Sequence, residues 1–413
     1  MKKLLSEAIE DIKPDKDYEK EILGKANNII NRINKGLKNA KAVLGGSGAK
    51  GTWLKTFDAD IFVKFNYKKF KDKSDQLSNI LEKFLKKNFK IIRLHGSRDY
   101  FQIKQSKFTF EIVPILEIKK AEQAKNITDV SPLHSNFVLK HKKLANEIRL
   151  TKQFFKAAKV YGAESYIRGF SGYVCEILTV YYGSFLKLLK AASKWKEKTV
   201  IDVKNYYKKK NVFIEINKSK LTSPLIVIDP VQKDRNAAAA LDHEKFEIIK
   251  HRAKEFLKKP SKEFFEIRVL TEQDIKKKFS KNKLVMLKAT PLKKKEDVAG
   301  AKMLKAFHFI EGELLANDFE IIESDMLWHE GRDPLFYYAI KESRLSNNIE
   351  VLGPPKKITK HAAAFKKKHK KTFVKSNRLF AIEKRKFTNT KSLVKYLIKT
   401  SNVKDNISNI KSI

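Results

Sequence analysis

Apolar residues recur at helical spacing over the first part of the chain. Leu5, Ile9 and Ile12 begin the pattern, which continues through Ile22 to Ile33. An apolar residue every three or four positions is typical of a helix that buries one face. The sequence therefore predicts helices over about residues 1–42, followed by a short apolar stretch that leads into a cluster of glycines.

Beyond the glycines the spacing of apolar residues changes several times, as expected where strands and helices alternate. Runs of β-branched and aromatic residues predict strands, and a period of three or four residues predicts a helix. The predicted elements are a strand at 61–65, a helix at about 75–88, and two strands at 99–105 and 108–113 that Ser106-Lys107 joins as a hairpin. This order indicates an α+β domain, to which we assign residues 1–142.

The middle of the chain is mainly helical, and its last part is mixed again. Helical periodicity extends over about 132–258, interrupted by one predicted strand at 224–228. The later predicted elements are strands at 284–289 and 334–340, a helix at about 300–317, and a loop at Gly353-Pro-Pro. We therefore divide the rest of the chain into a mainly helical domain, 143–258, and an α+β region, 259–413.

The chain is strongly basic, and its charge is concentrated towards the C-terminal end. Lys and Arg number 89 against 47 Asp and Glu, which gives a formal net charge of +42. Residues 353–413 alone hold 18 Lys and Arg against Glu383 and Asp405, with aromatic residues interleaved. Such a surplus indicates a polyanionic partner, and the interleaving predicts a folded basic surface that contacts nucleic acid. Coding bias towards lysine, or a face that only solubilises the protein, is the alternative.

Other features of the composition exclude several classes of protein. Hydrophobic residues make up 42% of the chain, so it is globular and not a disordered polyelectrolyte. The single cysteine, Cys175, excludes an internal disulfide framework and a cysteine-based zinc site, and its apolar neighbours predict a buried thiol. The chain shows no long apolar run and no signal-peptide pattern, so we expect a cytoplasmic protein that makes no membrane contact.

The glycine cluster has features of two nucleotide-binding motifs but satisfies neither. Residues 46–51 have the glycine spacing of the dinucleotide fingerprint, but the next strand begins too soon for a crossover helix. A P-loop requires Lys after its last glycine, and this chain has Thr52 there. The remaining interpretation is a glycine turn that opens a short helix. Its free backbone N–H groups would suit a triphosphate, assisted by Ser47 and Lys50.

Two carboxylates follow the glycine cluster at the start of a predicted strand. Asp58 and Asp60 are two residues apart, so in a strand both would lie on one face with Cα atoms about 7 Å apart. Carboxylate oxygens are preferred ligands of Mg²⁺, and such a pair suits two metal ions that assist an in-line displacement at phosphorus. The scheme requires a third carboxylate from a neighbouring strand. Glu111 is the candidate, and Glu117, on the same face, is the alternative.

The Gly-Ser, Gly-Thr and Asp-x-Asp sequence resembles the signature of the DNA polymerase β-type nucleotidyltransferase superfamily. Further segments resemble, in the same order, those of the archaeal (class I) CCA-adding enzymes, a tRNA nucleotidyltransferase family. These segments begin at Asp129, Val160, Arg168, Tyr182, Asp229 and Gly353. The resemblance implies a nucleotidyltransferase head with a mixed sheet, a helical neck, and an α+β body and tail. It also implies template-independent addition of CCA to the 3′ end of tRNA from CTP and ATP, with release of pyrophosphate.

The same resemblance implies roles for individual residues. Asp58, Asp60 and Glu111 would bind Mg²⁺ and carry the catalysis. The residues implied around the nucleotide are Gly46, Ser47, Lys50, Ser131, His134, Lys152, Tyr161 and Arg235, of which Arg235 reads the incoming base. The implied partner is tRNA, bound at its acceptor arm and 3′ end, and a homodimer is compatible with the family. The chain departs from the family pattern in having Gly48 for Thr, Lys50 for Arg, Glu111 for Asp and Ser131 for Thr.

Several of these residues also have a plainer structural interpretation. Ser131 suits a helix N-cap, His134 and Tyr161 ordinary packing, Lys152 a solvated helix face, and Arg235 an ion pair with Asp234. Two functional alternatives also stay open. One is a terminal adenylyltransferase such as a poly(A) polymerase, which shares the catalytic head. The other is an inactive RNA-binding module of the same fold, against which the presence of both aspartates argues.

Overall fold

The computed structural model describes residues 1–55, 58–280, 283–328 and 333–413. The chain divides into two units, Met1–Arg268 and Val269–Ile413. Each unit has hydrophobic cores of its own. The mixture of helices and sheets in both units confirms the predicted α+β class. The domain boundaries at 142 and 258 stay predictions.

The first unit combines one large sheet with many helices. Its helices are α1 (Lys2–Ile12), α2 (Lys16–Gly36), α3 (Gly46–Lys50), α4 (Tyr67–Phe70), α5 (Leu77–Asn88), α6 (Ser131–Leu139), α7 (Ala145–Ala157), α8 (Gly172–Tyr182), α9 (Phe185–Ala192), α10 (Val212–Glu215) and α11 (His243–Lys258). Its strands are β1 (Ala40–Leu44), β2 (Ala59–Phe65), β3 (Ile92–Leu94), β4 (Tyr100–Gln105), β5 (Phe108–Leu116), β6 (Thr199–Ile201) and β7 (Leu225–Val227). Short 3₁₀ helices occupy Lys71–Gln76, Ala121–Gln123, Ile127–Val130, Lys142–Leu144, Lys218–Lys220 and Lys262–Phe265.

The N-terminal helices form as their periodicity predicts. Asp15 caps α2, because its side chain accepts hydrogen bonds from the backbone N–H groups of Asp17 and Tyr18. The buried residues of α2 lie three or four positions apart, at Ile22, Ala26, Ile29 and Ile33. With α5 they cover the five-stranded sheet and form one core with it.

The five-stranded sheet has the order β1-β2-β5-β4-β3. β4 and β5 form the predicted hairpin, in which Gln105 pairs with Phe108 and Ser106 has a positive φ of 55°. β2 and β5 pair in parallel, whereas the other neighbours are antiparallel, so the sheet is mixed as expected. This parallel pair brings the strand that follows the glycine cluster directly beside the strand that carries Glu111.

A second core lies among the helices of the first unit. Phe154 of α7, Phe185 of α9 and Phe256 of α11 are fully buried, and their rings contact each other. The predicted strand at 224–228 is β7, which pairs in parallel with β6. The sequence pattern did not reveal β6, because three residues are too few to show alternation.

The second unit contains two further sheets. Its helices are α12 (Glu272–Lys278), α13 (Glu296–Ala316), α14 (Thr359–Lys368), α15 (Thr390–Leu397) and α16 (Ser401–Lys404). Its strands are β8 (Lys283–Thr290), β9 (Ile321–Leu327), β10 (Leu335–Ile340), β11 (Asn348–Pro355), β12 (Thr372–Lys375), β13 (Arg378–Lys384) and β14 (Asn409–Ser412). One sheet has the order β14-β8-β10-β9, and the other has the order β11-β13-β12. The strands and the helix predicted for 284–340 are confirmed as β8, β10 and α13.

The loop predicted at Gly353-Pro-Pro is wrong, because these residues form the end of β11. The pairing of β11 with β13 shifts register between Leu352 and Pro355, so the prolines lie where the ladder is already irregular. Proline is tolerated at such a place because it has no N–H to donate.

Two predictions about burial can also be compared with the structure. Cys175 is fully buried in α8 and has no disulfide partner, as expected. Within the described ranges, no helix is long and apolar enough to cross a membrane.

Candidate active site

The three predicted metal-binding carboxylates lie on, or immediately before, neighbouring strands of the sheet. Asp60 of β2 and Glu111 of β5 are direct register partners. On the other side of β5, the Gln102 side chain donates a hydrogen bond of 3.2 Å to the Glu111 carboxylate. Asp58 is exposed and immediately precedes β2. The prediction that Glu111 comes from a neighbouring strand is thus confirmed, whereas the roles of the three residues stay predictions.

The electrostatics of this carboxylate cluster are unfavourable without a cation. Burial and the negative charges of Glu111 and Asp58 together raise the pKa of Asp60 to about 7, against the opposing charge of Lys50. The pKa of Glu111 is also raised, by burial and by Asp58. Among the described residues, no three acidic, histidine or cysteine side chains form a complete metal site. Even so, adjacent carboxylate oxygen atoms are the donors that a hard divalent cation prefers.

Glu117 does not belong to this cluster. Its carboxylate is an ion-pair partner of Lys64, at 2.9 Å, and its backbone N–H donates to the carbonyl oxygen of Phe65. Both partners belong to β2 at the end away from Asp60. Glu117 is therefore a half-exposed carboxylate with its own cation, and the alternative third ligand is not supported.

The glycine cluster forms a short helix packed against Asp60. Gly46 begins α3 with a positive φ of 53°, and a Cβ atom there would lie 1.5 Å from Asp60 Oδ2. The backbone N–H of Gly45 also donates to the Asp60 carbonyl oxygen, at 2.8 Å. A glycine is therefore required at position 46 both by conformation and by space. Ser47 follows it on the same short helix, and its role at the nucleotide stays a prediction.

Lys50 and Lys152 share one buried carboxylate. Glu176 of α8 is completely buried and accepts from Lys50 Nζ at 2.7 Å and from Lys152 Nζ at 2.7 Å. Lys152 Nζ also contacts the Thr52 hydroxyl at 3.0 Å. Burial alone would raise the pKa of Glu176, but the charges of Lys152 and Lys50 lower it to about 2. The interpretation of Lys152 as a solvated charge is wrong, since this residue is 3% exposed.

Tyr161 and Lys156 lie beside this ion-paired triad. A Cβ atom on Gly172 would come within 2.6 Å of the Tyr161 hydroxyl and 3.8 Å of Lys152 Cε, so both side chains lie close to this glycine. Burial raises the pKa of Tyr161, which keeps its hydroxyl neutral. Lys156 Nζ lies 5.1 Å from the centre of the Tyr161 ring. No ion pair of Lys156 is found among the residues that the structure describes, unlike Lys50 and Lys152.

A buried ion pair fixes the start of α6, which carries Ser131 and His134. Asp129 is completely buried, pairs with Arg98, and accepts the backbone N–H of Leu116 at the end of β5. Ser131 is the first residue of α6, but Val130 is its N-cap and no side-chain cap bond forms. The N-cap interpretation of Ser131 is therefore wrong, and its hydroxyl is not committed to capping.

His134 and Arg235 meet at a second buried carboxylate, Asp229. Asp229 accepts from Arg235 Nη1 at 2.6 Å and lies 3.1 Å from His134 Nε2. The pairing of Arg235 with Asp234 is wrong, since Asp234 lies near Lys220 at 3.4 Å. Burial would raise the pKa of Asp229, but hydrogen bonds and positive charge lower it to about 2. An ionised carboxylate only accepts, so Nε2 of His134 carries a proton.

Sequence reasoning assigned no role to the two acids that organise the site, Glu176 and Asp229. Both are completely buried, although Asp and Glu are rarely so unless they are paired. The available signal was a single acid inside an apolar run, at Cys175-Glu176-Ile177 and at Ile228-Asp229-Pro230. The identity of their cationic partners was not accessible, because those partners belong to other elements.

Three family models match the chain. The model described as tRNA nucleotidyltransferase, second domain, matches residues 146–266, and the model described as CCA-adding enzyme, C-terminal domain, matches residues 284–411. A third, described as Second Messenger Oligonucleotide or Dinucleotide Synthetase domain, matches residues 1–131. Together they extend over both units.

Whole proteins and solved structures agree with these matches. The CCA-adding enzyme of Nanoarchaeum equitans is 37% identical over 84% of this chain and 84% of its own length. That of Methanocaldococcus jannaschii is 31% identical over 96% of this chain and 91% of its own length. A cytoplasmic RNA terminal U-transferase structure has a TM-score of 0.51 at 14% identity, and covers 65% of this chain and 98% of its own. The last likeness shows the fold alone, which is that of a nucleotidyltransferase.

Proposed function

The chain belongs to the archaeal CCA-adding enzymes, and we propose that the cluster of Asp58, Asp60 and Glu111 is its catalytic centre. The enzyme adds CCA to the 3′ end of tRNA without a nucleic-acid template, using CTP and ATP. The observation that carries the assignment of the centre is the register pairing of Asp60 with Glu111, beside the glycine helix and the ion-paired lysines.

The carboxylate cluster has the donors for a divalent cation, which in this proposal is Mg²⁺. Asp58, Asp60 and Glu111 would hold it through their oxygen atoms. When bound, the metal would assist deprotonation of the tRNA 3′-hydroxyl and neutralise charge on the departing pyrophosphate. The raised pKa values of Asp60 and Glu111 support this role, because burial and neighbouring carboxylates make their ionised forms unfavourable and a bound cation would stabilise those forms.

The triphosphate would lie against the glycine helix and the nearby cations. Lys50, Glu176 and Lys152 together carry one net positive charge in fixed positions, since one carboxylate neutralises two ammonium groups incompletely. Gly46 and Ser47 offer backbone N–H groups and a hydroxyl, and Ser131 and Tyr161 offer further hydroxyls. This arrangement would orient the α-phosphate in front of the tRNA 3′-hydroxyl, which is the main requirement of phosphoryl transfer.

Selection between nucleotides is the proposed role of Arg235, with His134 beside it. Without a template, the enzyme must read base edges with protein groups or with the bound RNA. A guanidinium group donates in a planar fork to ring nitrogens and carbonyl oxygens, which differ between the four bases. The Arg235 side chain is 34% exposed, so part of this fork is accessible to a ligand.

The remaining parts of the proposal concern the partner and the arrangement of the chain. The basic surface of the second unit would bind the tRNA acceptor arm by its backbone and shape. A head at 1–142, a neck at 143–258 and a body and tail at 259–413 are the proposed domains. A cytoplasmic location and a homodimer belong to the proposal as well.

Incubation with tRNA that lacks its CCA end tests the function directly. Labelled CTP alone should add two residues, and CTP with ATP should add three and then stop. Intact tRNA ending in CCA is the control and should receive nothing. Continued extension with ATP alone would instead identify a terminal adenylyltransferase. Loss of all incorporation at saturating Mg²⁺ would identify an inactive RNA-binding module.

A further inference from the structure

The Asp229 carboxylate is the buried ion-pair partner of Arg235. It is completely buried at the end of the segment that follows β7, just before Pro230. Four donors converge on its two oxygen atoms. They are the Tyr173 hydroxyl, the backbone N–H of Val231, His134 Nε2 and Arg235 Nη1.

The two oxygen atoms of Asp229 accept from different kinds of donor. Oδ1 accepts from the Tyr173 hydroxyl at 3.1 Å and from the Val231 N–H at 2.9 Å, so it is bound to the scaffold. Oδ2 accepts from Arg235 at 2.6 Å and from His134 at 3.1 Å. One oxygen atom therefore fixes the carboxylate in the fold, while the other fixes two side chains that belong to the proposed nucleotide site.

Within the described residues, the Arg235 side chain is held by one hydrogen bond, which its Nη1 donates to Asp229. Beside it opens a pocket of about 360 Å³, lined also by Ala163, Ser171 and Ala237, whose small side chains leave room for a ligand. The hydrogen bond to Asp229 uses one N–H of a group that has five. The others are available to a ligand in an orientation that the buried carboxylate sets.

We propose that Asp229 is a positioning residue for nucleotide selection, which acts by holding the Arg235 guanidinium and the His134 ring in fixed orientations. The inference rests on the proposed role of Arg235. A long, flexible side chain discriminates poorly between similar bases, because its donors can follow either one. A donor that is held in one orientation cannot follow a different base. With the wrong base its N–H group stays without an acceptor, and this cost disfavours binding of that nucleotide.

The substitution Asp229→Asn tests the role of Oδ2 separately from that of Oδ1. The amide oxygen of Asn can still accept from Tyr173 and Val231, while its NH₂ group replaces Oδ2 and faces the Arg235 donor. We expect a roughly tenfold fall in the ratio of kcat/KM for CTP over UTP. Activity with CTP at saturation should fall much less. Tyr173→Phe is the matched control, since it removes one scaffold bond from Oδ1 and leaves Oδ2 intact, so its selectivity should equal that of the wild type.

Two further variants make the outcomes distinguishable. If Arg235→Ala leaves selectivity unchanged, the proposed role of Arg235 is wrong. If Arg235→Ala relaxes selectivity but Asp229→Asn does not, only the positioning role of Asp229 is wrong. In the double variant the loss should be clearly smaller than the sum of the two single losses, whereas fully additive losses would contradict action through Arg235. Should Asp229→Asn not fold, Asp229→Glu keeps the charge but displaces it by one methylene. It should also relax selectivity, and unchanged selectivity would overturn the proposal.

Discussion

At the scale of single residues, the acids around the candidate site fall into two groups. Glu176 and Asp229 have pKa values lowered to about 2, because each is held by cationic partners. Asp60 has a pKa raised to about 7, because burial and a neighbouring carboxylate both oppose its ionisation. The first group is satisfied by the protein itself. No ion pair of the Asp60 carboxylate is found in the part of the chain that the structure describes, which is the state expected of a carboxylate that binds a metal ion.

The substitution Asp60→Ala should abolish nucleotide incorporation and leave tRNA affinity nearly unchanged. A lost metal contact removes several kcal/mol of transition-state stabilisation, which corresponds to a roughly thousandfold or greater fall in kcat. Glu117→Ala is the matched control, since Glu117 is paired with Lys64 and should be dispensable. Single-turnover incorporation and filter binding of tRNA measure the two quantities. A variant that retains a tenth of the wild-type rate would contradict the metal assignment.

Sequence alone predicted the candidate carboxylates but not their surroundings. Asp58 and Asp60 follow the glycine cluster at a spacing that favours a nucleotide and metal site, and Glu111 lies in an adjacent predicted strand. The partners of Lys50, Lys152 and Arg235 could not be predicted, because tertiary packing decides which buried acid meets which cation. For the same reason two interpretations were wrong, namely that Lys152 is solvated and that Arg235 pairs with Asp234.

At the scale of elements, the approach of α3 to β2 determines the shape of the site. Gly46 and Gly51 lie at the two ends of α3, with similar positive φ values of 53° and 61°. They differ in their surroundings. A Cβ atom at Gly46 would collide with the Asp60 carboxylate, whereas one at Gly51 would meet nothing within 4 Å. The backbone cost of an added methyl group is thus similar at the two positions, and only one of them disturbs the carboxylate.

Gly46→Ala should therefore lower activity far more than Gly51→Ala. Both substitutions should cost about 1 kcal/mol of stability through the left-handed backbone conformation. Only Gly46→Ala should displace Asp60, with an expected loss of roughly a hundredfold in kcat. Denaturant unfolding and incorporation assays on the pair separate the two effects. Equal activities would mean that α3 does not determine the position of Asp60.

Elements with a clear period were predicted, and those without one were not. The helices α2, α5 and α13 each bury a regular stripe, and the β4–β5 hairpin alternates. β6 has only three residues, which is too short to show a period. β9 is half-buried and mixes polar with apolar residues, so its sequence shows no clear alternation. The prolines at the end of β11 predict a loop, because proline usually marks one. There, tertiary pairing with β13 outweighed the local preference.

At the scale of the whole molecule, charge is distributed unevenly. Lys366, Lys367, Lys370 and Lys371 are exposed on or just after α14, and no ion pair of these four is found among the described residues. The tail is folded, as predicted, with Phe373 and Phe380 stacked at 5.6 Å on adjacent strands. Whether this surface binds tRNA stays a prediction. The overall charge and the α+β class followed from composition and pattern, but the domain boundaries depend on packing that a single sequence does not encode locally.

Changing these four lysines to glutamate should weaken tRNA binding and flatten its dependence on salt. Each lysine that contacts a phosphate contributes about one unit to the slope of log affinity against log salt. The matched control reverses four exposed lysines of α4 and α5, Lys68, Lys69, Lys83 and Lys87, and so changes the net charge equally. The tail variant should lose affinity much more than this control. Equal losses would assign binding to net charge alone, and an unchanged slope would make the tail a solvated face.

The triad of Lys50, Glu176 and Lys152 also restricts how this sequence can diverge. Replacing Glu176 alone would leave two like charges buried without their counter-charge, at a cost of about 3–5 kcal/mol. That is a large fraction of the roughly 5–15 kcal/mol by which a folded domain is stable. An evolutionary path through that single replacement would therefore pass through a poorly folded intermediate. The three positions should change together or not at all, so they form one unit of covariation although they are far apart along the chain.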